Sequence, residues 1–348
     1  MATHRNPGSK VMPPSTICGW WKGIFNVWEA AKHGLREFSV FADLGGFSPL
    51  VKREKSMEQS YKKRVRREKV MEYVFLAVAC MSILCVALIC VFLFANGLPA
   101  MGEIGVFKFL SGKRWKPGAD IYGIFPMILG SIYVTAGALA LGVPIALLTA
   151  IYLAFFCPKN LYRIVKPAVD LLAGIPSVVY GFFGIVVLVP MVRALGEPWD
   201  GSGNSMLTAS ILLAIMILPT IIGVVEPALR AVSPSYYEGA LALGATHERS
   251  VYTAVVPAAT SGILAGIVLG IGRAMGETMA VIMVAGNQPR MPKGILQGVR
   301  TLTGNIVIEM GYAAGLHREA LIATGVVLFV FILLINLSFS ALKRRKKA

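Results

Sequence analysis

The chain has 348 residues, of which 56% are hydrophobic and only 15% are charged. An average soluble domain carries about 25% charged residues, so this composition excludes an ordinary soluble protein and indicates an exterior that faces lipid. The formal net charge is +16, but the cations concentrate before residue 70 and at the C-terminus. That distribution is typical of the cytoplasmic flanks of membrane helices and argues against a nucleic-acid partner.

The first 69 residues are polar and basic, and the run Lys62–Arg67 closes them. We expect a basic cytoplasmic extension at 1–69, followed by a transmembrane permease domain at 70–348. Within the extension, aromatic residues between Trp20 and Trp28 crowd around a lysine. This pattern is typical of a helix lying on the membrane surface, although a partly ordered segment has the same composition.

Six apolar runs follow, each long enough for the ~20 residues that span a bilayer. They cover residues 70–94, 121–156, 168–195, 207–229, 258–285 and 320–342. The second, third and fifth runs contain Gly or Pro, which membrane helices tolerate and which let helices approach closely. The predicted fold is therefore all-α, a polytopic membrane protein with about six transmembrane helices.

Lys and Arg residues set the predicted orientation. Both terminal regions are strongly basic, so both termini should be cytoplasmic, and an even number of spans agrees with this. The acidic loop at 197–201 then falls outside, together with some cations at 108–116 and 290–300. This orientation leaves 231–257 inside, and we expect short helical pieces in the long outside loop at 286–319.

The inside segment 231–257 predicts two helices joined at a glycine. Ser233 and Pro234 supply a helix start, and Glu238 lies near the positive end of that helix, where a carboxylate is stabilised. Gly244 ends the helix or allows a turn, and a second helix runs to Pro257 at the membrane. Such a unit is shaped to dock into a groove on another protein.

This segment resembles the E-A-A-x3-G-x9-I-x-L-P loop of permease subunits of ABC importers. Glu238, Ala240, Gly244 and Pro257 match at the right separations, whereas Gly239 and two apolar positions before the proline depart from the pattern. The resemblance implies a coupling helix that fits a cleft in a separate ATPase subunit. The chain itself has no GxxxxGK[ST] phosphate loop, so we expect it to be no enzyme.

The fifth run carries two charges at membrane depth, Arg273 and Glu277, four residues apart. On one helix this spacing places both on the same face. Each costs about 2.5–3.5 kcal/mol near the bilayer centre, so we expect them to face the bundle interior or a water-filled path and to pair. Gly262, Gly266 and Gly270 form a small-residue ridge that should pack against a neighbouring helix.

An arginine in this position has two interpretations that physical chemistry alone leaves open. Arg273 and Glu277 could form an ion pair that fixes helix register, or the guanidinium could hold a passing anion. Glu277 argues against a simple anion trap. It could instead keep the hold on the anion weak enough for release.

A second resemblance lies in the same run. The sequence G-R-A-M-G-E-T-M-A-V at 272–281 looks like the phosphate-specific ABC permeases, and more like the PstC-type than the PstA-type subunit. Residues 173–184 and 301–311 resemble two further motifs of these permeases, and the similarity covers roughly residues 70 to 345. It implies the type I ABC importer permease (MetI-like) architecture, whereas the extension at 1–69 is a departure.

The resemblance also implies which residues line the substrate path. Arg273 and Glu277 are the main candidates, and Ser177 and Tyr180 are weaker ones. A Gly- and Pro-broken helix around Ser177 could turn backbone N–H groups toward an anion. Tyr180 could equally be a packed helix residue, and His247, a lone histidine in a loop, receives no role.

The implied partners are a homologous second permease subunit, two ATPase subunits, an external phosphate-binding protein and the lipid bilayer. The implied location is the bacterial cytoplasmic (inner) membrane, and no cofactor or metal is expected. Two alternatives within transport are a permease for sulfate or molybdate and the PstA-type partner subunit. A membrane-embedded enzyme would need a nucleophile–base pair or metal ligands, and the spans offer neither.

Overall fold

The computed structural model describes residues 48–196 and 203–345. The predicted interfacial helix between Trp20 and Trp28 lies outside these residues, and so does the acidic loop at 197–201. Contacts divide the chain into two units, one up to Cys85 and one from Val86 onward. The boundary falls inside α1 (Ser48–Ile104), a continuous helix that begins 22 residues before the apolar run at residue 70. Along its apolar stretch the large side chains are exposed, as lipid contact requires.

A short helix and a two-stranded antiparallel hairpin follow α1. They are α2 (Val106–Ser111), β1 (Trp115–Lys116) and β2 (Ile121–Tyr122). Trp115 pairs with Tyr122 across the hairpin, and both rings join Phe109 in a small buried cluster. We call this side of the molecule the hairpin end.

The central helices alternate with π-helical turns. They are α3 (Phe125–Ile151) with the turn Tyr152–Phe156, α4 (Lys159–Gly174), α5 (Ser177–Phe183) with the turn Gly184–Leu188, α6 (Val189–Gly196) and α7 (Met206–Arg230). Such turns are rare and occur often at functional sites. Here the turn Tyr152–Phe156 follows the end of α3 and lies next to the end of α7. We call this side of the molecule the coupling end.

The remaining elements form the segment at 231–257, which we call the coupling segment, then a broken span and the last span. They are α8 (Pro234–Ala242), α9 (His247–Ser250) with the π-helical turn Val251–Val255, α10 (Val256–Ala258), α11 (Thr260–Gly276), α12 (Met279–Val284), α13 (Leu302–Glu309) and α14 (Leu316–Arg345). The helix α13 confirms the predicted helical piece in the long loop at 286–319.

Five helical stretches in the described residues are long and apolar enough to cross a membrane. They are Arg64–Ile104, Phe125–Phe156, Ser177–Gly196, Met206–Arg230 and Leu316–Ser338. A sixth span is counted if the pair His247–Ala258 and Thr260–Gly276, bent by 70°, is taken together. The prediction of an all-α protein with about six spans is confirmed.

Two predicted boundaries are wrong. Ile121 and Tyr122 belong to β2, so the second span begins only at Phe125. Residues 168–174 belong to the separate helix α4, because Ile175 precedes Pro176 and takes an extended backbone with ψ 127. A residue before proline is biased against helical geometry, so the third span begins after this break.

The fifth run is not one helix. It bends between α10 and α11, and it breaks again at Glu277 and Thr278, between α11 and α12. Gly276 ends α11, and the backbone of Glu277 is extended, with φ −70 and ψ 126. The second break places a non-helical stretch within the predicted membrane run.

The core forms around α7, whose inward residues are fully buried against α3 and α11. The predicted glycine ridge on α11 contacts this helix. A Cβ added at Gly262, Gly266 or Gly270 would lie 2.3, 2.7 and 2.8 Å from the nearest side-chain atom of α7. Because these distances leave no room for a methyl group, the three glycines allow the close approach of the two helices.

Candidate functional site

The first predicted site lies at the break between α11 and α12. Arg273 occupies the last turn of α11, and its side chain is exposed on this chain. Within residues 48–196 and 203–345 it forms no hydrogen bond or ion pair. The predicted shared helical face with Glu277 is wrong, because α11 ends at Gly276 before reaching that residue.

Glu277 instead contacts the beginning of α12. Its Oε1 accepts a hydrogen bond from the backbone N–H of Ala280 at 3.4 Å, a position where a carboxylate is stabilised by the helix dipole. The backbone carbonyl of Glu277 accepts a hydrogen bond from Thr303 Oγ1 at 3.3 Å, which joins the break to α13. The carboxylate therefore stabilises α12 and leaves the guanidinium of Arg273 without its predicted partner.

The weaker candidates lie on α5, which packs against α12. A Cβ added at Gly181 would lie 2.4 Å from Met283 Sδ, so the two helices touch at this glycine. Tyr180 is buried and donates a hydrogen bond from its hydroxyl to the carbonyl of Leu172 at 2.8 Å. That bond spans the break between α4 and α5, which favours a packing role for this tyrosine.

The structure brings two of the four path candidates, Arg273 and Tyr180, near each other. Arg273 lies near enough to the Tyr180 hydroxyl to act on it electrostatically, and Glu277 begins the stretch that leads into α12. Ser177 is the first residue of α5 after Pro176 and is half-buried, with no hydrogen bond from its hydroxyl among the described residues. The guanidinium is thus the charge at this break that has no partner within the part of the chain that the structure describes.

The second predicted site is the coupling segment, and its glycine turn is confirmed. Gly244 has φ +84, the left-handed conformation that favours glycine. The N–H of Ala245 bonds to the carbonyl of Ala240 at 3.1 Å, and the N–H of Gly244 bonds to that of Leu241 at 2.9 Å. This pair of bonds is the Schellman arrangement that ends a helix. Ser233 precedes α8 but does not cap it with its side chain.

The α8 helix presents residues that this chain leaves uncovered. Glu238, Gly239 and Gly244 are exposed, Ala240 is half-buried, and Leu243 is 91% exposed. Pro257 lies in α10, just before the bend into α11. Leu243 directly follows α8, and an exposed leucine at the end of a short helix is suited to docking against another protein.

Two buried ionic clusters went unassigned in the sequence. At the coupling end, Glu226 of α7 is 2% exposed and accepts hydrogen bonds from Arg230 Nε at 2.9 Å and from the Tyr162 hydroxyl at 2.8 Å. Lys166 Nζ lies 3.3 Å from its other oxygen. Burial lowers the pKa of Lys166, but Asp170 and Glu226 outweigh that effect and raise it. The spacing of Glu226 and Arg230 was the available sequence signal.

At the hairpin end, Glu309 of α13 is 5% exposed. Its Oε2 accepts hydrogen bonds from Trp115 Nε1 at 2.8 Å and contacts His317 Nε2 at 2.9 Å, while Oε1 accepts from Arg300 Nη1. Burial raises the pKa of Glu309, but the hydrogen bonds from these groups outweigh burial and hold it below its ordinary value. This carboxylate joins the hairpin to α13 and α14.

Known proteins resemble this chain in sequence and in fold. The family model described as "Binding-protein-dependent transport system inner membrane component" matches residues 142–348. The "Probable ABC transporter permease protein YqgH" of Bacillus subtilis (strain 168) is 36% identical over 74% of this chain and 84% of that protein. The "Phosphate transport system permease protein PstC" of Mesorhizobium japonicum is 34% identical over 70% of this chain and 80% of that protein.

One solved structure adds the fold. A bacterial ABC transporter involved in the import of alginate is 17% identical to this chain, with a TM-score of 0.55 over 80% of this chain and 99% of that chain. The family match covers more than half of the chain, and both relatives are matched over most of their own length. The chain belongs to the family of binding-protein-dependent transport system inner membrane components and is a multi-pass membrane protein with the ABC importer permease fold.

Proposed function

We propose that this chain is a PstC-type permease subunit that carries inorganic phosphate through an ABC importer. The observation that carries this proposal is the guanidinium of Arg273, which lies at a helix break inside the membrane run and has no hydrogen bond or ion pair among the described residues. A relative that bears the name of a phosphate permease, 34% identical over 80% of its own length, supports the choice of substrate. Guanidinium N–H groups match the oxygens of phosphate in geometry and charge.

The exposure of Arg273 also supports a paired assembly. A guanidinium facing hydrocarbon costs several kcal/mol, so a charged residue in a span faces water or another protein surface. In the proposed importer a homologous second permease subunit covers this face and completes a water-filled path. Glu277, Ser177 and Tyr180 form the protein wall next to the arginine, with Glu277 fixing the start of α12.

The coupling segment supplies the proposed contact with the ATPase subunits. Glu238, Gly239, Ala240 and Gly244 present α8 toward a cleft on an ATPase subunit, and Pro257 carries the segment back into the bundle. ATP hydrolysis then takes place on the partner, and an external binding protein delivers phosphate. In the proposed importer both termini lie in the cytoplasm, with 1–69 as an extension and 70–348 as the permease domain.

The test is phosphate uptake into proteoliposomes that hold the complete importer with its binding protein. Replacing Arg273 with Ala should lower uptake by about tenfold or more, because a hydrogen bond to a charged group contributes about 1.5–3 kcal/mol. Arg273→Lys keeps the charge but loses the planar fork and should retain an intermediate rate. Arg163→Ala, at an exposed position in α4, serves as the matched control.

Two results would count against the proposal. Normal phosphate uptake by the Arg273→Ala importer would remove the anion-binding role of the guanidinium. Uptake of sulfate or molybdate in preference to phosphate by the wild-type importer would assign the chain to another anion. Assembly is checked separately, by co-purification of all subunits, so that a failure to assemble is not read as a failure to bind the anion.

A further inference from the structure

Three side chains from three different elements meet at the coupling end. They are Phe156 at the end of the π-helical turn after α3, Tyr237 in α8 and His247 at the start of α9. The Tyr237 hydroxyl and His247 Nδ1 lie 2.6 Å apart and share one hydrogen bond. The His247 ring packs edge-on against Phe156 with 4.8 Å between centroids, and against Tyr237 with 5.6 Å. We call these three residues the latch.

The latch joins α8 and α9 to the end of α3, which lies far from them in the sequence. The α8 helix follows α7 directly and continues into α9 through the Gly244 turn, so movement of α8 reaches those neighbours along the backbone. The α3 helix has no such link to the segment. Beside the latch, a cavity of about 510 Å³ lies between the end of α3 and the segment that begins with α9. Leu148 and Tyr152 line it from the α3 side, and Arg249 and Tyr252 line it from the other side.

The π-helical turn that carries Phe156 is also fixed from a second direction. Arg230 Nη2 donates a hydrogen bond to the carbonyl of Leu153 at 2.7 Å, and the same arginine pairs with the buried Glu226. Phe156 and Tyr237 both pack partly buried against the main core. A π-helical turn carries a wider hydrogen-bond ring than an α-helix, and here contacts from α7 and from the latch decide its position.

We propose that His247 is a positioning residue that transmits movement of α8 to α3 through Phe156. The inference rests on the proposed function, since it takes α8 as the element that the ATPase subunit moves. The histidine acts on the coupling between ATP hydrolysis and transport and touches neither phosphate nor nucleotide. A ring at position 247 provides the contact with Phe156, and its Nδ1 provides the bond that sets the ring against Tyr237.

The first test measures phosphate transported per ATP hydrolysed in proteoliposomes that hold the complete importer. His247→Ala should lower this ratio by about two- to tenfold, the range that one lost hydrogen bond produces in an equilibrium constant. Co-purification of the ATPase and the KM for phosphate should stay at wild-type values. Tyr252→Phe, in the same segment and without a hydrogen bond from its hydroxyl among the described residues, is the matched control.

Conservative variants separate the two contacts of the histidine. His247→Phe keeps a ring against Phe156 and loses the hydrogen bond, whereas His247→Asn keeps a bonding group and loses the ring. The double variant Tyr237→Phe with His247→Phe should be no worse than either single variant, because both remove the same bond. Fully additive losses would contradict a shared bond.

A second measurement does not depend on which anion the importer moves. Spin labels at Leu141 of α3 and Leu334 of α14, both exposed, report the ATP-driven change in distance between these helices in a cysteine-free background. We expect His247→Ala to abolish a change that the wild-type importer shows. An unchanged displacement and an unchanged transport ratio in this variant would overturn the latch, as would loss of ATPase binding. A wild-type importer that moves no phosphate would overturn only the proposed function.

Discussion

Removal of the Glu309 carboxylate should destabilise the hairpin end more than any surface change. The side chains of Glu309 and Arg300 are 7% and 11% exposed, so the pair is shielded from water. Breaking a buried pair from one side costs about 3–5 kcal/mol, because the other charge remains buried. Arg300 keeps its hydrogen bonds to the Asn287 carbonyl and to Asn305 Oδ1, so we expect Glu309→Ala to lie near the lower value, about 3 kcal/mol.

Thermal unfolding of the purified protein in detergent measures this loss. At about 2–4 °C per kcal/mol, Glu309→Ala should lower the Tm by roughly 6–12 °C. Glu309→Gln keeps an acceptor for Trp115 and should lose about half as much. The matched control is Glu319→Ala, which removes the same charge from an exposed position in α14. Equal Tm values for Glu309→Ala and Glu319→Ala would refute the argument from burial.

The pH dependence of the same difference provides an internal check. The pKa of Glu309 is held below its ordinary value of 4.5 in the folded chain, so the unfolded chain binds the proton more tightly. The stabilising effect of the Glu309 carboxylate is complete above pH 4.5. It is lost as the pH falls through the lower pKa of the folded chain. The Tm gap between wild type and Glu309→Gln should therefore be constant at neutral pH and shrink in acid. A gap that widens in acid would contradict the direction of the shift.

Two further predictions concern glycines. Gly262→Ala should lower stability by about 1–3 kcal/mol, since the added Cβ would lie 2.3 Å from Ala228. Gly272→Ala on the same helix should not, because apart from the backbone of its own helix no described atom lies within 4 Å of the added Cβ. Unfolding in detergent compares the two variants. Gly244→Ala should cost about 1–2 kcal/mol at its positive φ and weaken ATPase co-purification, and wild-type ATPase binding and uptake would contradict the docking assignment.

The sequence predicted the number of spans because apolar length is a direct physical requirement of the bilayer. It also predicted the glycine turn at Gly244 and the packing ridge on α11, since both depend on the residue type at a few neighbouring positions. The boundaries near Pro176 and Gly276 were wrong because helix ends inside apolar runs leave hydropathy unchanged. The bias of a residue before proline against helical geometry does predict the boundary near Pro176.

The polar networks could not be predicted because their members are distant in sequence. Trp115 and Glu309 are 194 residues apart, and Arg230 meets a carbonyl 77 residues away. A role for His247 could not be predicted for the same reason, since its partner Phe156 belongs to another helix. Spacing rules apply to neighbours on one helix, and they fail at Glu277 because the helix ends at Gly276.

The α12 helix follows the break at Glu277 and makes polar contacts at both of its ends. At the start of α12, Glu277 binds the Ala280 N–H and receives the Thr303 hydroxyl. After α12, Asn287 Nδ2 donates to the carbonyl of Ile282 at 2.7 Å, and Arg300 holds the carbonyl of Asn287 from the Glu309 cluster. The α12 helix is thus fixed at both ends by polar groups, whereas the guanidinium just before it is held by none among the described residues. Such a division, with a helix fixed at both ends beside one cation, agrees with the proposed phosphate path, which must bind an anion and release it in each cycle.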